Sequence, residues 1–141
     1  MITVLDYGLG NFGSVQNMLK IAGFACRLTG KKEDIQAAEK IILPGIGAFD
    51  SAMQRLKESK LSDIIIEKAR LGTPILGICL GAQLLTHRSE EGILPGLGLL
   101  SAECKKFDAH AIPSIVYWLL RILWRPNSIR PKSYFHWELR K

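Results

Sequence analysis

Three apolar runs in this chain each stop at a glycine-rich turn. ITVL runs into DYGLGN, IILP into GIGAF, and PILGI into CLGAQ. Runs this short, apolar on successive residues, read as strands covered on both faces. FACRL reads as one more strand. Between the runs lie segments with helical spacing. Val15, Met18, Leu19 and Ala22 fall at i, i+3, i+4 and i+7, and Gly23 sits where a helix would stop. Phe49, Met53 and Leu56 share one side of AFDSAMQRLKE, and LSDIIIEKARLG ends in glycine. A short helix is expected over AQLLTHRSE, then a glycine-rich turn and a further strand in LPGLGLLSAECKKF. Strands alternating with helices predict an α/β fold: a doubly wound, mostly parallel sheet with helices on both faces. Ligands in such folds sit beyond the carboxyl ends of the strands, where the three glycine-rich turns lie.

Residues 109–141 break this pattern. IPSIVYWLLRILWR is apolar on every side of a helix, with Arg121 inside it. All three tryptophans, Trp118, Trp124 and Trp137, lie there. So does the charge. Residues 1–108 hold 13 basic and 12 acidic side chains, while residues 109–141 hold six and one. Five of the six net positive charges therefore belong to the tail, and no nucleic-acid partner is expected of the body. A domain over 1–108 followed by an atypical basic tail over 109–141 is the expected organisation.

At 141 residues the chain is long enough to bury a core without staples. No run reaches the ~18 apolar residues of a membrane span, so no membrane association is expected. MITVLDYG begins directly as a strand, and no signal peptide is read there. Cys26, Cys79 and Cys104 show no C-x-x-C spacing, which suits a reducing, cytoplasmic location better than a disulfide framework. His87, His110 and His136 have no ligand spacing with them, so no metal is expected.

GLGNFG matches a dinucleotide fingerprint after a strand. That unit also needs an acid at the end of the second strand, but RLTGKK stands there, so a tight turn is the better reading. Cys79 is a sharper case. A strand, then G-x-C-x-G, then a helix is the cysteine form of a nucleophile elbow. Gly77 and Gly81 permit the turn and clear space at the sulfur. The N–H of Leu80 offers a backbone donor to an oxyanion. The glycines of the LPGIGAF turn could aim further N–H groups at one place, but on its own that stretch reads better as a plain turn with a Pro-Gly stop. A thiol nucleophile also needs a general acid/base, usually histidine held by a carboxylate. His87 reads as a surface residue and His110 has no oriented partner. His136 lies two residues before Glu138.

GICLGAQLL resembles the active-site motif of class I glutamine amidotransferases. VLDYGLGNFGSVQNML, ILPGIGAF and EEGILPGLGLL narrow the resemblance to the branch serving imidazole glycerol phosphate synthase in histidine biosynthesis. The resemblance covers residues 1 to about 108. It implies that Cys79 attacks the side-chain amide of glutamine and releases ammonia, after which water hydrolyses the thioester. It implies that Gly45, Ile46, Gly47 and Leu80 bind the oxyanion, and that Gln83 and Glu91 contact the substrate. It implies a (β/α)₈-barrel cyclase as heterodimer partner to receive the ammonia, and no cofactor.

Members of that family are longer, continuing with a P-H-M-G-W-N-like block and a catalytic F-H-P-E. Here FHWE stands instead, 57 residues after Cys79, which makes His136 and Glu138 the candidates for the acid–base pair. Three readings stay open beside the active glutaminase. One is a catalytically silent fragment with an incomplete sheet. One is a side-pathway paralogue that feeds ammonia to a sugar-modifying enzyme. The third is a reading frame shifted or interrupted near residue 109.

Overall fold

The computed structural model describes residues 1–106 and the backbone of 118–122. The main sheet holds β1 (Ile2–Leu5), β2 (Cys26–Thr29), β3 (Ile41–Gly45) and β4 (Ile75–Cys79) in the order β2-β1-β3-β4. All of its pairings are parallel. Five helices connect and follow these strands: α1 (Phe12–Ile21), α2 (Lys32–Gln36), α3 (Phe49–Glu58), α4 (Leu61–Arg70) and α5 (Leu80–Leu84). The doubly wound α/β architecture expected from the sequence is present.

Alternation along the strands divides the core. Val4 and Ile42 face α1, where Val15 and Leu19 cover them. Leu5, Ile41 and Leu43 face the other way, against Ile35 of α2, Phe49 and Leu56 of α3, Ile65 of α4 and Leu84 of α5. Each large side chain buried this way contributes about 1.5–3 kcal/mol relative to exposure. α3 shows why it forms: Phe49, Ala52, Met53 and Leu56 are all buried and recur at i, i+3, i+4 and i+7. In α1 only Val15 and Leu19 of the expected face are buried. Met18 is 55% exposed, and Ala22 has become the exposed C-cap. A single helix crossing β1 and β2 meets the sheet along a narrower stripe than the sequence pattern allows.

The helix expected after Cys79 ends early. α5 stops at Leu84 rather than running through AQLLTHRSE. Its end is closed from outside: Leu97 and Leu99 donate backbone N–H bonds to the carbonyls of Leu84 and Leu85. The buried Thr86 hydroxyl lies 2.7 Å from the Gln83 carbonyl and 3.1 Å from that of Arg88. The chain then turns into β5 (Arg88–Ser89). β5 starts a second sheet, ordered β5-β6-β7, with β6 (Ala102–Lys106) parallel to β5 and β7 (Trp118–Ile122) antiparallel to β6. The strand expected after the glycine-rich turn is thus real but belongs to this smaller sheet. The apolar tail segment expected as a helix pairs over Trp118–Ile122 as a strand instead, because β6 offers it a full five-residue ladder.

Asp34, at the start of α2, ties that helix to β2. Its carboxylate accepts from the Thr29 hydroxyl at 2.8 Å and pairs with Arg27 at 2.7 Å. The Thr29 hydrogen bond, with help from Arg27, holds this carboxyl below its ordinary range. Its stabilising contribution is present above the unfolded carboxylate pKa of about 4 and is lost as pH falls through the lowered folded value. Asp34→Asn is therefore expected to flatten the loss of thermal stability in acid. Melting curves of the two proteins taken from neutral pH downwards check it; parallel curves would refute it.

Candidate active site

Cys79 ends β4 and begins α5 with φ 55° and ψ −120°, a conformation that costs L-residues of order 1–3 kcal/mol. Among the described residues only Lys60 shares a positive φ without being glycine. The thiol-bearing residue is exposed. The strain is what a nucleophile elbow requires: the side chain leaves the line of the strand and stands at the sheet's carboxyl end.

The start of the glycine turn after β3 lies beside it. Gly45 is the register partner of Cys79, and Pro44 that of Ile78. Residues from positions 45 and 79 therefore lie side by side on neighbouring strands. The approach is close enough to demand glycine. A Cβ on Gly45 would stand 2.7 Å from the Gly81 nitrogen and 3.0 Å from Leu80 Cβ. Beyond it, Ile46 is half-exposed and Gly47 turns with φ 90°. Pro44 is tolerated in an interior strand because pairing of β3 with β1 has already ended at Ile42.

Tyr7 is a contributor that sequence reasoning missed. Its buried hydroxyl donates to the Pro44 carbonyl at 2.9 Å, which fixes the Pro44–Gly45 peptide. Burial pushes its phenol well above the ordinary tyrosine range, so it stays a donor at working pH. Position 7 stands in the first glycine-rich turn, but nothing local reveals a partner 37 residues on.

Gln83 and Glu91 are brought together by a third residue, Ser89. Gln83 is buried on α5 and its Oε1 accepts from the Ser89 hydroxyl at 3.1 Å. The Gln83 side chain also lies near enough to the Glu91 carboxylate to favour its charged form. The Glu91 backbone N–H closes the set on Ser89 Oγ at 3.2 Å. Partial burial pushes the Glu91 carboxyl up, and the neighbouring Gln83 side chain offsets this in part. Ser89 was visible in the sequence only as one letter of SEEG. Its Cβ–Oγ group is expected to contribute about 1–2 kcal/mol, since Ser89→Ala strands the buried Gln83 oxygen. Urea unfolding of the variant measures this, and an unchanged midpoint would show the Ser89–Gln83 bond to be idle.

His87 is exposed, as expected. His110, His136 and Glu138 lie outside the described residues. All three cysteines are unpaired. Burial raises the thiol of Cys104, which lies 4.0 Å from the Thr86 hydroxyl and away from Cys79's strand. Among the described residues no three His, Cys, Asp or Glu side chains cluster to hold a metal, and no helix is long and apolar enough to cross a membrane.

Comparison with known proteins places this geometry in a lineage. The CobB/CobQ-like glutamine amidotransferase domain matches residues 3–116. The chain is 49% identical over 109 residues to imidazole glycerol phosphate synthase subunit HisH 2 of Pseudomonas aeruginosa, covering 77% of this chain and 54% of that protein. It is 52% identical over 108 residues to the protein of the same name from Methanococcus maripaludis, covering 76% and 54%. With subunit HisH of a Cyanothece species it shares 40% over 144 aligned residues, covering 96% and 68%. The chain thus spans about half the length of the first two relatives. A crystal structure of a glutamine amidotransferase, 21% identical, superposes with a TM-score of 0.65 over 86% of this chain and 70% of the other, a likeness of fold. With the family domain matched over most of its length and relatives of this similarity, the chain belongs to the glutamine amidotransferase family.

Proposed function

We propose that this chain is the glutamine-hydrolysing subunit of an imidazole glycerol phosphate synthase, working in the cytoplasm beside a (β/α)₈-barrel cyclase. The observation that carries the reading is Cys79, strained at the end of β4 with Gly45 as its register partner. In the reaction Cys79 Sγ attacks the side-chain carbonyl carbon of glutamine. The carbonyl electrons move to oxygen, where N–H groups of the Gly45–Ile46–Gly47 turn and of Leu80 would stabilise the charge. As the oxyanion collapses, the C–N bond breaks and the nitrogen leaves as ammonia after gaining a proton. Water then adds to the thioester, releasing glutamate and restoring the thiol. Gln83 and Glu91 would hold the substrate. His136 and Glu138 are the proposed proton-transfer pair.

The relatives named as imidazole glycerol phosphate synthase subunits support this branch over a sugar-modifying pathway. The test is glutamate release by the full chain mixed with glutamine and the cyclase subunit. Release above that of a Cys79→Ala control is the expected result. Equal release from the two proteins would end the proposal and favour a catalytically silent chain.

A further inference from the structure

The loop after Glu91 is tethered by a side chain that the reaction does not use. Asp50 stands in the first turn of α3, the helix that begins just after the Gly45–Gly47 turn. Its Oδ1 accepts the backbone N–H groups of Ile93 and Leu94, both at 3.0 Å. Its Oδ2 lies at 3.0 Å from the same Ile93 nitrogen. Gly92 lies flat against the carboxylate, and a Cβ there would run into Asp50 Oδ1 and the Phe49 ring. At the loop's other end Ser89 accepts twice, from the Glu91 N–H to its hydroxyl and from the Gly92 N–H to its carbonyl.

Apolar burial does not hold this loop. The side chain of Ile93 is 93% exposed and that of Leu94 is 37% exposed. Hydrogen bonds to an ionised carboxylate are roughly twice as strong as neutral ones, so Asp50 is the dominant tether of residues 93 and 94, between the backbone bonds of Gly92 to Ser89 and of Gly96 to His87. The tether joins two parts of the site separated by 43 residues in the chain. One is the helix that carries on from the candidate oxyanion turn. The other is the loop that carries Glu91, whose backbone N–H is tied to the Ser89 hydroxyl that also holds Gln83.

We propose that Asp50 is a positioning residue, whose carboxylate fixes the 91–94 loop so that Glu91 stays at the glutamine-binding side of the site. This role rests on the glutaminase reading above, and it acts on substrate binding rather than on the chemistry at Cys79. Asp50→Ala removes both acceptors. Asp50→Asn keeps one oxygen for Ile93 and Leu94 and is the conservative rescue. Gly92→Ala leaves Asp50 intact but pushes the loop off it.

The experiment compares the full chain and its three variants with the cyclase subunit present. Asp50→Ala and Gly92→Ala are expected to raise KM for glutamine about tenfold, with kcat held within about twofold. Asp50→Asn is expected to recover most of the loss. An unchanged KM, or a fall in kcat at constant KM, would overturn the proposal. Hydrogen exchange at the Ile93 and Leu94 amides supplies the second measurement, independent of activity. Faster exchange in Asp50→Asn than in the parent, and faster still in Asp50→Ala, is expected. Exchange unaltered in Asp50→Asn and in any folded Asp50→Ala sinks the tether. If the parent itself releases no Cys79-dependent glutamate, the functional reading fails, while the exchange rates still judge the tether.

Discussion

Gly81→Ala is expected to remove about 3 kcal/mol or more of folding free energy, an effect large enough to unfold much of a marginal domain. The new Cβ would run into the Leu43 carbonyl, with the Leu43 and Pro44 carbonyl carbons close behind. All of these are main-chain atoms of β3, so no side chain can turn aside to make room. Either α5 slides away from the sheet or β3 bends. Both movements separate Cys79 from Gly45. Gly13→Ala is the natural comparison, because a Cβ at that position in α1 meets nothing within 4 Å. It is expected to gain about 0.5–1 kcal/mol through the lower backbone entropy of alanine. Urea unfolding of both variants reads the contrast. A Gly81→Ala loss below about 1 kcal/mol would mean that α5 is free to shift, and that the elbow is not held by contact with β3.

Cys79→Gly is expected to move stability and activity in opposite directions. Without a thiol no thioester forms, so glutamate release should fall to the level of the uncatalysed reaction. Yet φ 55° with ψ −120° suits glycine and strains every L-residue. Relief of that strain, less the added entropy of an unfolded glycine, leaves a net gain of roughly 1 kcal/mol. The melting temperature should rise by about 2–4 °C. Cys79→Ala keeps a Cβ and should lose the activity without the gain. A melting temperature for Cys79→Gly at or below the parent value would show that the loop relaxes easily and that the backbone is not braced for a reactive side chain.

What the sequence disclosed is divided by the range of the interactions. The parallel strands and the elbow were legible because short apolar runs and flanking glycines are local signals. Cys79 stood out for the same reason. Its facing of Gly45 followed from the family resemblance, and the register of β3 on β4 shows the two side by side. The smaller sheet was not legible. β5 is only Arg88–Ser89, with no alternation to detect, and the helix before it ends through bonds from residues 97 and 99. Tyr7, Ser89 and Asp50 escaped notice for a related reason. Each is an ordinary polar residue in its own neighbourhood and acquires a role only through a partner placed by the fold. The expected α1 face failed at Met18 and Ala22 because helical spacing marks residues that could face a core, not the width of the surface they meet.

The Ser89–Gln83 bond joins the two sheets. Gln83 rides on the helix packed against the parallel strands, and Ser89 belongs to the first strand of the smaller sheet. The orientation of the Gln83 carboxamide is thus set from outside its own layer. At 3.1 Å the bond has little slack, since a hydroxyl and a carbonyl separated by about half an ångström more no longer bond. That margin is the mechanical tolerance of the site. Movement of one layer against the other by more than it would release the amide, with no change at Cys79 itself.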